Sequence, residues 1–451
     1  MTLADDLAAR FGPALDTRPD TLRDAAQDFG QLVRATPRAV LRPGSAAQIR
    51  DLLEFAGPRH IPVGVRGGGH ALYGQSQAAG GIVVDLRAMN GVGQVTDDQV
   101  TVQAGALWRE VLAATLPSGR TPPVLTDYLG AGVGGVLSAG GLGGATHRHG
   151  LVADQVRELE VVTGAGKHCV CSPGRDPALF HAVLAGLGQC AVIVGATLRL
   201  VPAPERVRRY CLFYDDLPRY LADQRRLAEE GRFAYLEGQA RSVGDRDWQY
   251  MIEAVAWHDG PRPPDDGRLL DGLAHDPVTV ETADLGYAEF AHRVDSDEEI
   301  LRATGEWLHP HPWLNLLLPD HTAETVVRSV LADPAFADLR TAGLVLLYPL
   351  VSGRLRAPLF RRPPGRVLWL FALLRTAAPG SPETAARMVA ANRAAHDLAR
   401  AAGAVAYPVN ALPLSAADWR EHHGAGWRSF ADAKRRHDPH LVLGRGHGLR
   451  L

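Results

Sequence analysis

The sequence predicts an α+β protein of two domains. Three observations carry this expectation. At 451 residues the chain is too long for one comfortable hydrophobic core. Its first half alternates short apolar strands with helical spacing, the rhythm of β-α units and hairpins. Near Glu205 the texture changes, because glycine thins out and longer amphipathic helices begin. The first domain is expected to end near 204 and the second to begin at about 205.

After an N-terminal helical stretch, "AVLRPGSAAQIRDLLEFA" reads as a strand, a Pro-Gly turn and a helix over 47–56. "IPVGVRGGGH" supplies the next strand. "GGIVVDLRAMN" supplies another, whose continuous apolar run predicts burial on both faces. "QVTVQAGALWREVLAATL" repeats strand then helix. From Arg157, "ELEVVTGAGKHCVCS" reads as a hairpin, followed by the helix "DPALFHAVLAGLG" and the strand "AVIVGATLRLVP". In the second half, "LPRYLADQRRLAEEG" is a helix and "HDGPRPPDDG" a loop. The strands "GLVLLYPLV" and "RVLWLFALLRT" flank a Pro/Arg segment, 354–366, expected to be a surface loop or lid. The chain closes on "WRSFADAKRRHDPHLVLGRG", a helix and a short apolar tail.

A formal charge of -2 and a pI near 6.8 provide no global field for phosphate backbones or anionic lipid, so neither nucleic acid nor membrane is an expected partner. The cysteines Cys169, Cys171, Cys190 and Cys211 follow no paired CxxC spacing and read as buried thiols in a reducing compartment. "MTLADDLAARFG" is acidic where a signal peptide is basic. A cytoplasmic protein is expected. His309 and His311 bracket Pro310 without a second pair of ligands, so no metal site is expected.

Two glycine concentrations carry the chemistry. "VRGGGHALYGQ", residues 65–75, crowds glycines around one imidazole; "TDYLGAGVGGVLSAGGLGGATHRHG" spans 126–150. Within the second, "GAGVGG" at 130–135 satisfies GxGxxG, with Asp154 at a plausible distance for a ribose contact. The context is wrong for that motif: "GRTPPVLTDY" precedes it, with two prolines, and the residues after it read as continuing loop. Two long glycine loops about sixty residues apart suit an extended cofactor whose pyrophosphate needs many backbone N–H donors at close range. FAD has that shape.

The same segments resemble flavoproteins of the vanillyl-alcohol oxidase/p-cresol methylhydroxylase (PCMH) fold, and among them the cytokinin dehydrogenases. "GGGHALYGQSQAAGGIVVDL", "VLTDYLGAGVGGVLSAGGLGGATHRHG", "HPHPWLNLLLP" at 309–319 and "WRSFADAKRRHDPHLVL" match in order, from about Ala39 to the end. The resemblance implies a two-domain PCMH-type FAD-binding fold, with residues 1–204 in the FAD-binding domain, 205–404 in a substrate domain built on an antiparallel sheet flanked by helices, and 405–451 returning to the FAD-binding domain. It makes His70 the flavin-linking residue, through the 8α-methyl of the isoalloxazine. No cysteine lies between Gly119 and Gly150 for the second link of berberine-bridge-type enzymes, so attachment by His70 alone is expected. Expected FAD contacts are Arg66, Gly67, Gly68, Gly69, His70, Ala71 and Gln75 from the first segment. The second contributes Asp127, Tyr128, Gly132, Gly134, Gly135, Ser138, Gly141 and Gly144, and a later strand adds Val192 and Ile193.

The resemblance also implies the reaction: Asp127 accepts a hydrogen bond from a secondary amine N–H while the neighbouring carbon delivers hydride to flavin N5. The imine is then hydrolysed or trapped, and electrons pass to a quinone-like acceptor or to O2. Apolar Val124, Leu125 and Leu129 beside Asp127 predict a raised pKa for it; an N-cap or turn role is its structural alternative. Glu237 in "YLEGQA" either lines the substrate pocket as a second catalytic carboxyl or is a solvated strand-end residue. "HRHG" at 147–150 is expected to belong to the flavin loop. The family pattern is departed from at Ala71, where serine is usual, after Tyr348, where tryptophan and asparagine are absent, and in the tail, which lacks Pro-Gly. Two other functions fit the chain: a berberine-bridge-type tailoring oxidase with Tyr73, Tyr128, Tyr348 or Tyr407 as base, and a flavin-free binding protein. A monomer or homodimer is expected.

Overall fold

In the computed structural model, which describes residues 3–244, 247–449 and 451, the apolar run at 82–84 lies in one of the two inner strands of a small sheet. Ile82–Asp85 is buried throughout and lies between Ala39–Leu41 and Val63–Arg66, parallel to both, with Leu15–Asp16 added antiparallel at one edge. A strand with neighbours on both sides and cover on both faces has no polar face to present, which is why its sequence does not alternate. A second, antiparallel sheet runs Val92–Val95, Gln99–Gln103, Ala191–Arg199, Val156–Thr163 and His168–Cys171. The hairpin expected after Arg157 is its last pair. All four cysteines are free thiols.

The third main sheet is eight-stranded, antiparallel at every pairing, and ordered Glu281–Gly286, Arg206–Tyr214, Asp247–His258, Tyr235–Val243, Gly343–Val351, Val367–Arg375, Leu314–Pro319, Val405–Ala406. Helices Leu217–Glu230, Asp320–Ala332 and Pro382–Ala401 cover one of its faces, burying Tyr220, Leu227, Val326, Val327, Trp369 and Phe371 between them. No helix among the described residues is long and apolar enough to cross a membrane.

Three local expectations are corrected. The residues after "GAGVGG" do form a helix, Val133–Ala139, with Gly132 as its N-cap residue. Glycine is a poor helix former, but only glycine fits here: a Cβ on Gly134 would lie 3.0 Å from that of Ala104. The helix "DPALFHAVLAGLG" stops at Val183. Ala185 and Leu187 take positive φ so that their N–H groups reach the carbonyls of Leu137 (2.9 Å) and Ser138 (2.9 Å) at the end of the glycine-capped helix. The 354–366 segment is no lid, for Leu355, Ala357 and Phe360 are buried and the Asp154 carboxylate accepts from the N–H groups of Arg356 (3.0 Å) and Ala357 (2.8 Å).

Beyond Ala406 the chain runs back to the first sheet, where Val63 N–H donates to Val442 O at 2.9 Å. A buried ion pair fixes this tail. Lys434 Nζ donates to Asp438 Oδ2 (2.6 Å), Gln189 O (2.8 Å) and Leu443 O (2.8 Å), while Val442 and Leu443 N–H donate to the same carboxylate. Asp438 is 0% exposed, and removing its cation leaves that charge uncompensated. Lys434→Ala is expected to cost about 3–5 kcal/mol, measured as a lowered urea midpoint.

Candidate active site

The two glycine segments cross. The missing Cβ of Gly68 would lie 3.1 Å from Gly130 O, and that of Gly132 3.4 Å from Gly68 N. Side chains are absent because two backbones meet there. Gly69 adopts φ +76°, and a Cβ on it would collide with the Arg66 guanidinium. None of the N–H groups of residues 67–71 meets an acceptor among the described residues. Successive unpaired N–H groups make an anion-binding concavity. Arg66 borders it: Nη1 donates to Asp24 O at 2.9 Å, and Nε is buried without a partner.

His70 stands at the end of this run in a column of rings. It stacks on Phe29 at 4.1 Å and Tyr128 at 4.5 Å, and Phe29 stacks on His311 at 4.1 Å. Backbone bonds build the column: Phe29 N–H to Gly69 O (3.0 Å), Gly30 N–H to Ala71 O (3.1 Å) and His311 N–H to Gly30 O (2.9 Å). Desolvation, then the charge of His311, pushes His70 down to about 3, so its imidazole is neutral. Neither ring nitrogen is hydrogen-bonded among the described residues. Desolvation with neighbouring Glu298 raises the Tyr128 phenol to about 12.

Asp127 lies in the irregular stretch between Thr121 and the glycine-capped helix, half-exposed. Its Oδ1 accepts from Tyr235 Oη (2.7 Å) and Arg293 Nη2 (2.7 Å), and Arg293 Nη2 also touches Tyr235 Oη. The Glu237 carboxyl lies within hydrogen-bonding reach of the same carboxylate. The expectation of an acid isolated among Val124, Leu125 and Leu129 is therefore corrected: the second domain supplies a cation and a phenol. The buried carboxyl is Glu237, 3% exposed, with Oε1 unpartnered. Desolvation first, then the negative charge of Asp127, holds Glu237 well above the usual carboxylate range. The solvated alternative for Glu237 is excluded.

Strand register explains the cluster. Tyr235 and Glu237 are two apart on one strand and share a face. Glu237 sits directly opposite Glu253 on the next strand, an arrangement of like charges that is destabilising unless a cation or proton intervenes. Glu253 takes the cations, Arg209 Nε and, at 3.6 Å, Arg293 Nε. Glu237 takes the proton. Folded Glu237 is thus protonated where the unfolded chain has already ionised, and unfolding releases that proton. Its contribution to stability is full at acid pH and is lost as pH rises above the unfolded glutamate value. Glu237→Gln is expected to reduce the fall in Tm between pH 5 and pH 8, measured by thermal melts of both proteins.

The other expected contacts divide. Gly135 has open space where its Cβ would be, and Gly132 meets the first segment. Gln75 is occupied by the turn itself: Oε1 accepts from Leu72 N (3.2 Å) and Tyr73 N (2.7 Å), and Nε2 donates to Asn410 O (3.1 Å). Ser138 Oγ donates to Gly134 O at 2.8 Å. Gly141 packs on Val136 and Val152, and Gly144 on the ring of Tyr235; these two make room for protein, as does Gly134. Val192 and Ile193 are buried neighbours on one strand, so their side chains point to opposite faces. His147 belongs to the domain contact rather than to the flavin loop, its ring bridging Gly144 O (2.8 Å) and Phe233 O (3.2 Å). Phe29, Tyr235, Glu253 and Arg293 are site residues that the sequence did not single out.

Comparison with known proteins is decisive for the family. The family described as cytokinin dehydrogenase 1, FAD and cytokinin binding, matches residues 242–449, and an FAD binding domain family matches 37–172. Cytokinin dehydrogenase 10 of Oryza sativa subsp. japonica is 36% identical over 489 residues, covering 96% of this chain and 88% of its own. The chain belongs to the cytokinin dehydrogenase family. Cytokinin dehydrogenase 2 of Arabidopsis thaliana is 32% identical, covering 98% and 95%. An uncharacterized oxidoreductase, ORF5 in the fasciation locus of Rhodococcoides fascians, is 42% identical, covering 95% and 97%. The protein is accordingly an FAD-dependent oxidoreductase of cytokinin dehydrogenase type. The FAD binding match takes in both glycine segments, and the unpaired N–H run at 67–71 with the orphaned Arg66 Nε fits the diphosphate of such a cofactor.

Proposed function

We propose that the chain oxidises a secondary amine of the cytokinin class to an imine, which water hydrolyses. FAD, when bound, supplies the two-electron acceptor for the hydride that leaves the carbon next to nitrogen. Residues 67–71 and Arg66 hold its diphosphate, and His70, neutral and with both ring nitrogens free, forms the covalent link. The observation that carries the reading is the anchoring of the Asp127 carboxylate. Oδ1 is held by Tyr235 and Arg293 with Glu237 hydrogen-bonded beside them, and the carboxylate so oriented accepts the substrate N–H. An N–H so bonded leaves electron density on nitrogen as the C–H bond breaks. Around Asp127, Pro122, Leu125, Leu129, Tyr287 and Phe290 line a small pocket and give the carboxylate an apolar surround. Electrons then pass to a quinone-like acceptor or to O2, and the unpaired thiols suit a reducing cytoplasm.

The test is anaerobic mixing of the flavinylated protein with an N6-isoprenoid adenine and with unrelated secondary amines. Bleaching of the flavin band by the adenine supports the reading. A protein that stays yellow with every amine but bleaches with an alcohol overturns it.

A further inference from the structure

We infer that Arg293, itself anchored by Glu253, is a positioning residue that fixes Asp127 with one oxygen turned towards substrate. The inference rests on the reading of Asp127 as acceptor of the substrate N–H. Asp127 belongs to a stretch with no helix or strand around it, so its own backbone does little to fix its rotamer. The second domain does this instead. Arg293 follows the short helix Tyr287–Ala291, and its guanidinium lies over the rings of Phe290 (4.5 Å) and Tyr235 (4.9 Å). That stacking sets the plane of a rigid fork. One tine, Nη2, meets Asp127 Oδ1 at 2.7 Å; on the other side Nε faces Glu253 Oε2 at 3.6 Å. Glu253 is 4% exposed on its side chain and is held from behind by Arg209. A chain of contacts thus runs from the middle of the eight-stranded sheet to the reacting carboxylate.

Charge counting supports the role. The groups facing Asp127 are Arg293, Tyr235, Glu237 and, from the adjoining strand, Tyr348, with Glu253 and Arg209 behind Arg293. Two guanidiniums stand against three carboxyls, and a proton on Glu237 makes the group neutral. Without Arg293, Arg209 alone would serve three acids, and Asp127 would be free both to take up a proton and to rotate. Lysine cannot replace it, because a point charge reaching Asp127 abandons Glu253.

The test uses flavinylated wild-type, Arg293→Gln, Arg293→Lys, Arg293→Ala, Glu253→Gln and Asp127→Asn proteins, with kcat, KM, the pH profile of kcat/KM and the flavin absorption spectrum as readouts. Arg293→Gln is expected to lose roughly 10²-fold, the scale of a reacting group displaced by about 1 Å. The loss should fall mainly in kcat, with the acid limb of the profile moved to higher pH and an unchanged flavin spectrum. Arg293→Lys should recover little of this, Glu253→Gln should move the limb the same way by less, and millimolar guanidinium should raise kcat for Arg293→Ala several-fold. An unmoved acid limb in both Arg293→Gln and Glu253→Gln, or a change confined to KM, overturns the inference. Wild-type activity in Asp127→Asn overturns the underlying reading instead. An impaired Asp127→Asn beside a wild-type-like Arg293→Gln overturns the positioning role alone. Should Arg293→Gln fail to fold, Glu253→Gln and Arg293→Lys carry the same expectations.

Discussion

Asp127→Asn is expected to lower the rate of amine oxidation by roughly 10²–10⁴-fold, the range for removal of a positioned general base. The substitution keeps shape and most contacts. Asparagine Oδ1 can still accept from Tyr235 and Arg293, as the carboxylate does at 2.7 Å from each. That orientation turns the new amide donor towards substrate, so that a donor faces the amine N–H. The nitrogen then loses its acceptor, and the C–H bond breaks without assistance. Arg293 keeps Glu253 as a counter-ion, and the fold loses little. The measurement is the anaerobic flavin reduction rate in stopped flow, beside a melting curve. A reduction rate within tenfold of wild type, on a folded and flavinylated protein, would remove Asp127 from the chemistry.

What could be read in advance, and what could not, follows from how far each property reaches along the chain. The burial of 82–85 is a property of one strand and showed as an unbroken apolar run. The glycine segments read as room for a cofactor, whereas Gly68 and Gly132 also make room for each other's backbone. The Val133–Ala139 helix was missed because its glycines argue against a helix locally, while the packing of Gly134 on Ala104 involves a residue thirty positions earlier, just after the strand Gln99–Gln103. Asp127 was misjudged for a similar reason. Val124 and Leu129 are buried beside it as their sequence suggests, yet its side chain faces Tyr235 and Arg293, which arrive from the other domain. Nothing in "FAHRVD" distinguishes Arg293 from a surface arginine. The Tyr235, Glu237 pair did carry a signal, in that residues two apart on a strand share a face. The face-to-face placement of Glu237 and Glu253 depends on strand register, which no short segment contains.

His70→Ala is expected to leave all flavin in the supernatant after acid precipitation, whereas wild-type protein carries its yellow colour into the pellet. Three features of His70 argue for the link. Its ring is pushed down to about 3 by desolvation and by His311, so at any working pH a nitrogen lone pair is available for bond formation. Phe29 and Tyr128 stack on its two faces, which leaves only the ring edge open to reaction. The adjoining unpaired N–H run at 67–71 would hold the diphosphate end of the same cofactor, which would place tether and anion cradle on one loop. The variant should still bind FAD through that cradle, because the backbone N–H groups and Arg66 do not depend on the imidazole. Binding should become reversible and the dissociated fraction should rise on dilution, as it does for any ligand held only by noncovalent contacts. Mass spectrometry of the peptide containing residue 70 gives the complementary reading, with the mass of FAD added in wild type and absent in the variant. Flavin that stays in the pellet from His70→Ala would transfer the attachment to another residue, and a wild-type peptide without added mass would leave His70 as a stacking residue alone.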